Sequence, residues 1–519
     1  MHISICVIQS LLQPGAEARW LVDPQTLPHH LLTKPLGSDN TTKKERVVIL
    51  GSGWAGYAVA RNLDPSKYEP VVISPRSYFV FTPLLASTAV GTLEFRAVLE
   101  PVRRIPQVNF FQGWADDVDF NNKTVLVEAN TADDLASKTV VTPGGGRPKV
   151  PGTKGEEFHV KYDKLVIACG AYSQTFGIEG VRQHANFLRD IGDARRIRLR
   201  VLSLFEQCSH RSDIHPGDRP AGHLTDDDRR ELLHFAIVGG GPTGIEFAAE
   251  LHDLIHEDLA PVYPELLPFV KITVYDVAPK VLPMFDQALA KYAMDTFARH
   301  GIDVRTEHHL ERIRMADGNL GAEHGLLRIK VREYGEREVG AGLVVWSTGL
   351  MANPLIDKLA GRKFNLPGLG EPTNLLKDPT TGGLATDNYL RARVANGGEK
   401  ALDDVFVIGD CAATGGNGDG KVFPKTAQVA SQQALHLAKR LNKGDLTTRP
   451  FKFRNWGTLT YLGGWKAIHQ SSADELKGWV AWIVWRGAYL TKSMSVKNKI
   501  MVPLYWFVSW LFGRDISRF

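Results

Sequence analysis

Over most of the chain, apolar residues come in short continuous runs instead of alternating with polar ones. Residues 46–50 (RVVIL) form such a run, and a glycine turn follows at once. Residues 54–63 carry apolar side chains at helical spacing, Pro65 breaks the pattern, and residues 70–74 form a second run. A doubly buried run, a glycine turn and a helix, closed by another run after about 30 residues, predict a β-turn-α-β unit of a parallel sheet. The pattern returns with a strand at 233–238, a glycine turn at 239–244 and a helix at 245–256. A further strand ends at 274–276, after an insertion around 261–268. Right-handed connections of this kind lay each helix on a face of its sheet. Three more apolar runs end in Gly or Gly-Asp, at 164–170, 343–349 and 405–410. Residues 131–155 and 210–228 read as loops, rich in Gly, Pro and charge. From residue 451 onward the pattern becomes aromatic-rich and is read as helical.

At 519 residues the chain exceeds one ordinary domain. Its 49 glycines fit several tight strand-to-helix turns. The net charge is only +5, with 62 basic and 57 acidic residues interleaved, which gives no footprint for nucleic acid. Cys6, Cys169, Cys208 and Cys411 make no CxxC or CxxxxC spacing, so no zinc cluster, iron–sulfur cluster or redox-active dithiol is expected. No metal is assigned. No run of 18 apolar residues occurs, so no membrane-spanning helix is expected. Residues 1–45 read as a leader with mixed signals. The apolar stretch 1–12 lacks a basic start, and Arg19, Lys34, Lys43 and Lys44 are matched by Glu17, Asp23, Asp39 and Glu45.

The chemistry lies in the turns. In Gly51-Ser52-Gly53-Trp54-Ala55-Gly56, the glycines at Gly51, Gly53 and Gly56 allow a tight turn, approach of the backbone to a pyrophosphate, and close packing of helix on strand. The anion then sits at a helix N-terminus. Gly239, Gly241 and Gly244 repeat the pattern about 190 residues later, and two such units imply two dinucleotides. An acid at the end of the second strand accepts hydrogen bonds from a ribose diol and repels a 2′-phosphate. Asp276 holds that place in the second unit and favours NADH over NADPH, with Lys280 nearby. The first unit has Ser74 there, a weaker ribose partner. Asp410, in the Gly409-Asp410 turn after the 405–408 strand, suits the hydroxyls of a flavin's ribityl chain. Gly170 and Gly349, at the ends of the other two runs, complete the cofactor-binding assignment.

With these motifs in place, the chain resembles the type II (alternative) NADH:quinone oxidoreductases of fungal and plant mitochondria and of bacteria. The resembling stretches are VVILGSGWAGYAVARNL (47–63), SPRSYFVFTPLLASTAVGTLE (74–94), VGGGPTGIEFAAEL (238–251), VFVIGDCAA (405–413) and PKTAQVASQQA (424–434). The resemblance implies an α/β protein with two Rossmann-like dinucleotide-binding domains, one for FAD and one for NADH, plus a C-terminal helical segment at the membrane interface. It implies a peripheral enzyme of the mitochondrial inner membrane that passes electrons from NADH through FAD to ubiquinone and pumps no protons. The expected divisions are a leader at 1–45, the FAD domain at 46–232 and 350–450, the NADH domain at 233–349, and a membrane-associating segment at 451–519. The resemblance places Thr82 and Pro83 beside the flavin ring and Glu246 where nicotinamide and flavin meet. It places Ala427, Gln428 and Gln432 by the ring and at the quinone entrance; Glu246, Gln428, Ser431 and Gln432 are the candidate catalytic residues. One departure stands out: the family's AQxAxQE pattern ends here in Gln433 instead of Glu.

Five of the eleven tryptophans fall between Trp479 and Trp510. Trp479, Trp482, Ile483 and Arg486 share a helical face, and residues 501–512 form an apolar run flanked by Lys497, Lys499, Arg514 and Arg518. About a dozen apolar residues cannot span roughly 30 Å of hydrocarbon but can lie in the interface, with basic residues on anionic lipid. A helical pair packed on the core, or on a second copy in a homodimer, is the other reading. Competing functions stay open at this point. A sulfide:quinone enzyme would need a cysteine pair near the flavin, which the spacing does not reveal. A disulfide reductase would need a CxxxxC, and residues 57–100 hold no cysteine. A flavin reductase with another acceptor, and a non-catalytic flavin- and NADH-binding sensor, complete the alternatives.

Overall fold

The computed structural model describes residues 44–130, 155–209, 224–367, 369–415, 422–471, 474–492 and 495–518. Residues 1–43 of the expected leader 1–45, whose Glu45 already opens the first strand, and most of the two expected loops lie outside these residues. Their flank 226–228 does not: Asp226–Leu232 is a helix, started by a capping box in which Thr225 and Asp228 satisfy each other's backbone N–H. The acid run read as loop is thus a helix N-terminus, where acids are favoured.

Two sheets carry the glycine turns. The first has eight strands, in the order Arg391–Arg393, Ala401–Val407, Lys164–Ile167, Glu45–Leu50, Tyr68–Ser74, Asn109–Asp119, Thr124–Ala129, Glu157–Lys161. From Ala401–Val407 through Asn109–Asp119 the pairing is parallel, and antiparallel strands close both ends. Val47, Val48 and Ile49 are fully buried, as a strand covered on both faces must be. The second sheet is parallel throughout, in the order Asn186–Phe187, Leu343–Trp346, His234–Val238, Lys271–Tyr275, Asp303–Arg305. It draws a strand from 186–187, inside the stretch assigned from sequence to the first part of the FAD domain. The two sheets exchange chain at two points, 171–186 and 346–353. There Ala171–Ser173 pairs antiparallel with Leu350–Ala352.

The C-terminal segment differs from its helical reading. It opens with an antiparallel sheet, Thr458–Gly463, Lys466–Gln470 and Glu475–Gly478, and only then forms two helices, Trp479–Lys492 and Val496–Phe512. The hairpin turns at Gly463 and Gly464, both with positive φ (83° and 53°), which side chains with a Cβ avoid. The first strand lies along the helix Pro242–Asp253 of the second sheet's glycine turn. No helix among the described residues is long and apolar enough to cross a membrane.

Candidate functional site

The two glycine turns have the same geometry. Gly51 and Gly239 have φ of 110° and 115°, and each donates its N–H to the end of the neighbouring strand, Ile73 O and Tyr275 O, at 2.8 Å. A Cβ on Gly56 would lie 2.0 Å from Gly51 O, and one on Gly244 2.0 Å from Gly239 O. These two glycines let helix and turn touch. Gly53 and Gly241 differ from the others: both have ordinary φ (−77° and −76°), and a Cβ on either would meet nothing within 4 Å. The protein therefore does not demand glycine there, and the space beside these residues is open. Neither helix start has a side-chain cap, so the first-turn N–H groups are available to an anion. These features fit the pyrophosphates of FAD at the first turn and of NADH at the second.

The surrounding groups are placed as follows. Asp276 stands beside the second turn, where its carboxylate accepts the N–H of Gly240 and, at 2.7 Å, that of Ala278. Two backbone donors thus hold it at the strand end. Ser74, in the corresponding place of the first unit, is buried; its Oγ lies 2.9 Å from Ser52 Oγ and accepts the Arg76 N–H at 3.2 Å. The hydroxyl is therefore engaged in shaping the turn. Thr82 Oγ1 accepts the Trp54 indole N–H at 3.0 Å, tying the short turn Thr82–Leu84, with Pro83, to the first helix. Gly170 and Gly349 sit with positive φ (70° and 75°) at the two crossovers between the sheets. Asp410 lies in the turn Gly409–Cys411, and burial raises its carboxyl above the usual range, partly offset by the nearby Arg189 and Lys425 cations.

The structure also brings together cysteines that sequence spacing keeps apart. Cys169 and Cys411, just beyond the ends of adjacent strands, lie close enough to influence each other, and this neighbour together with burial pushes the Cys169 thiol up; the Cys411 thiol donates to Ile408 O (3.3 Å) and Ile167 O (3.4 Å). Parallel pairing of Lys164–Ile167 with Ala401–Val407 creates the contact.

The helix Ala427–Lys443 carries the glutamine motif, with Ala427 at its first position and Ser431 half-buried one turn on. Gln428 Oε1 accepts the Trp456 N–H at 3.0 Å, and its Nε2 donates to Gly457 O at 3.1 Å. Gln432 Oε1 accepts the Arg454 N–H at 3.0 Å, and its Nε2 donates to Arg454 O at 2.8 Å. Gln433, where the resemblance leads to an expected Glu, is 1% exposed. It accepts the Gly409 N–H at 2.7 Å and donates to Thr414 Oγ1 at 3.0 Å. An amide supplies both donor and acceptor in that buried place, whereas an ionised carboxylate only accepts.

Glu246, in the helix after the second turn, is buried under the C-terminal sheet. It accepts the Tyr461 N–H at 3.2 Å and the Trp485 indole N–H at 3.3 Å. Burial outweighs these bonds and raises its carboxyl to about 8. One and two turns further along the same face, Glu250 accepts from Ser87 (2.6 Å) and Thr92 (2.9 Å), and Asp253 accepts the Tyr461 hydroxyl (2.6 Å). Tyr461 and Asp253 were not singled out from sequence, because 208 residues separate them. The tail residue Arg514, read as a cation for lipid, is tied to Asp258 (2.6 Å) and Glu257 (2.7 Å) and donates to Thr92. The exposed apolar residues of the two last helices include Trp479, Ile483, Ile500, Phe507, Trp510 and Phe512. Arg486 lies between the Trp482 and Trp506 rings, 4.2 and 4.5 Å from their centroids.

Known proteins resemble the chain along most of its length. The family "Pyridine nucleotide-disulphide oxidoreductase" matches residues 45–434, and "NDH2 C-terminal domain" matches residues 456–515. "Probable NADH dehydrogenase" of Dictyostelium discoideum is 36% identical over 92% of both chains. "Internal alternative NAD(P)H-ubiquinone oxidoreductase A1, mitochondrial" of Solanum tuberosum is 34% identical over 93% of this chain and 90% of its own. The solved structure of NDH2 from Plasmodium falciparum in complex with NADH shares the fold, with a TM-score of 0.74 and 23% identity over 92% of this chain and all of that one. The chain belongs to the pyridine nucleotide-disulphide oxidoreductase family and, within it, to the type II NADH dehydrogenases.

Proposed function

We propose that this chain is an FAD-dependent NADH:ubiquinone oxidoreductase that pumps no protons. The observation that carries the reading is the pair of uncapped glycine turns of one geometry, each with an open position at its second glycine. The relatives named as NADH dehydrogenase and NAD(P)H-ubiquinone oxidoreductase support it. Gly51, Gly53 and Gly56 hold the FAD pyrophosphate, with Thr82, Pro83, Gly170, Asp410 and Ala427 around the rest of that cofactor. Gly239, Gly241, Gly244 and Gly349 hold NADH, and Asp276 selects it over NADPH by presenting a fixed carboxylate to the ribose. FAD, when bound, takes a hydride and returns two electrons, which is the cofactor's own chemistry. The chain's part is orientation and exclusion of water: Glu246, carried to about 8, keeps a proton at neutral pH next to Tyr461 and Trp485.

The exposed apolar face of the last two helices suits the surface of the mitochondrial inner membrane, where the second substrate is dissolved. Mitochondrial relatives support that location. Steady-state NADH oxidation by the purified protein, with and without a short-chain ubiquinone and with NADPH as control, tests the reading. Quinone-dependent turnover with NADH is expected; turnover that ignores quinone would move the electrons to another acceptor.

A further inference from the structure

Three glutamines on one helix grip two different parts of the chain. Gln428 and Gln432, four residues apart, lie on one face of Ala427–Lys443. Their amides pair with the backbone of residues 454–457 as a neighbouring strand would. Arg454 is held through both its N–H and its C=O, Trp456 through its N–H, and Gly457 through its C=O. Gln433 follows directly on Gln432, about 100° around the helix, and holds the N–H of Gly409 beside Asp410. About one and a half turns of helix thus fix the segment leading into the C-terminal sheet against the turn assigned to flavin. Gly457, the last residue of this segment, turns with φ 85°, and a Cβ there would lie 2.5 Å from Gln470 O. Four residues on, the Tyr461 N–H reaches Glu246. The register set at 454–457 is carried into that contact.

We infer that Gln428 and Gln432 are positioning residues: they bracket residues 454–457 and through them set Tyr461 on Glu246 for the acceptor half of the reaction. Each amide already spends its oxygen and one N–H on this backbone, so holding the segment is its main engagement. The inference rests on the proposed quinone reductase activity for its kinetic part only.

The test uses the FAD-loaded full chain as wild type, the double variant Gln428→Ala/Gln432→Ala, and Gln432→Glu. Amide hydrogen exchange without quinone reads the bracket directly. At a net gain of about 0.7–1.4 kcal/mol for each bond, exchange at Arg454 and Trp456 should accelerate roughly three- to tenfold in the double variant. Gln432→Glu, which keeps an acceptor for the Arg454 N–H but loses the donor, should fall between. In kinetics, the KM for short-chain ubiquinone should rise several-fold, and that for NADH should stay within twofold. Unchanged exchange with a raised quinone KM would overturn the inference and make the glutamines direct quinone contacts. Faster exchange with no change in quinone KM would overturn it too, leaving a bracket without a role in the reaction. If the wild type turned over no quinone, the functional reading would fail, and exchange would still decide whether the bracket exists.

Discussion

Replacing Glu246 by Gln should make the protein more stable, and more so as pH rises. The carboxyl is 7% exposed, and burial is the largest influence on it, raising it from 4.5 to about 8. Below pH 4.5 the folded and unfolded chains both hold this proton, and its contribution to stability is full. As pH rises the unfolded chain ionises first, so stability is lost between 4.5 and about 8. At about 1.4 kcal/mol per pH unit the loss reaches about 3 kcal/mol at pH 7 and about 5 kcal/mol once both states are ionised. Gln cannot ionise, yet its Oε1 can accept the Tyr461 and Trp485 N–H groups as Glu246 does. Guanidinium unfolding of both proteins at pH 5, 6, 7, 8 and 9, followed by tryptophan and flavin fluorescence, measures the difference directly. The advantage of Glu246→Gln should grow from pH 5 to 8 and then level off. A difference independent of pH would show that Glu246 is ionised in the folded protein, and the argument from burial would be refuted.

Gly53→Val should fold with near wild-type stability, since its Cβ meets no protein atom within 4 Å, but should purify without flavin; a normal flavin spectrum would remove Gly53 from the cofactor. Gly56→Ala is the contrasting case, because its Cβ would lie 2.0 Å from Gly51 O; it should lower stability by about 1–3 kcal/mol, seen as a drop in the unfolding midpoint. Asp276→Ala should raise the NADH KM roughly tenfold, as loss of a charged hydrogen bond to ribose does, with flavin content unchanged. An unaltered KM would place the ribose elsewhere.

The parts of the fold that sequence made legible are those built from near neighbours. Both glycine turns, their flanking strands and the helix starts lie within about 30 residues each, and the structure shows them with matching dihedral angles. What periodicity could not report are contacts between distant residues. Glu246 meets Tyr461 across 215 residues, and Cys169 meets Cys411 through strand pairing that no Cys-x-x-Cys spacing announces. The C-terminal sheet was missed for a different reason. The aromatic weight of residues 451–512 suggested an amphipathic helical surface throughout, although TLTYLGGWKAIHQ (458–470) carries the signal of a hairpin, two β-prone runs around Gly463-Gly464. Arg514 illustrates a further limit: a basic residue beside an apolar run looks free in sequence, and only folding brings Asp258 and Glu257 to it.

The most direct test of the central claim, one flavin shared by NADH and a quinone, is a double-mixing stopped-flow experiment without oxygen. The protein is first mixed with one equivalent of NADH, the flavin absorbance is followed, and a short-chain ubiquinone is then added. The account predicts bleaching on the first mix and full recovery of the oxidised flavin on the second. A flavin that bleached with NADH and stayed reduced in the presence of quinone would contradict it.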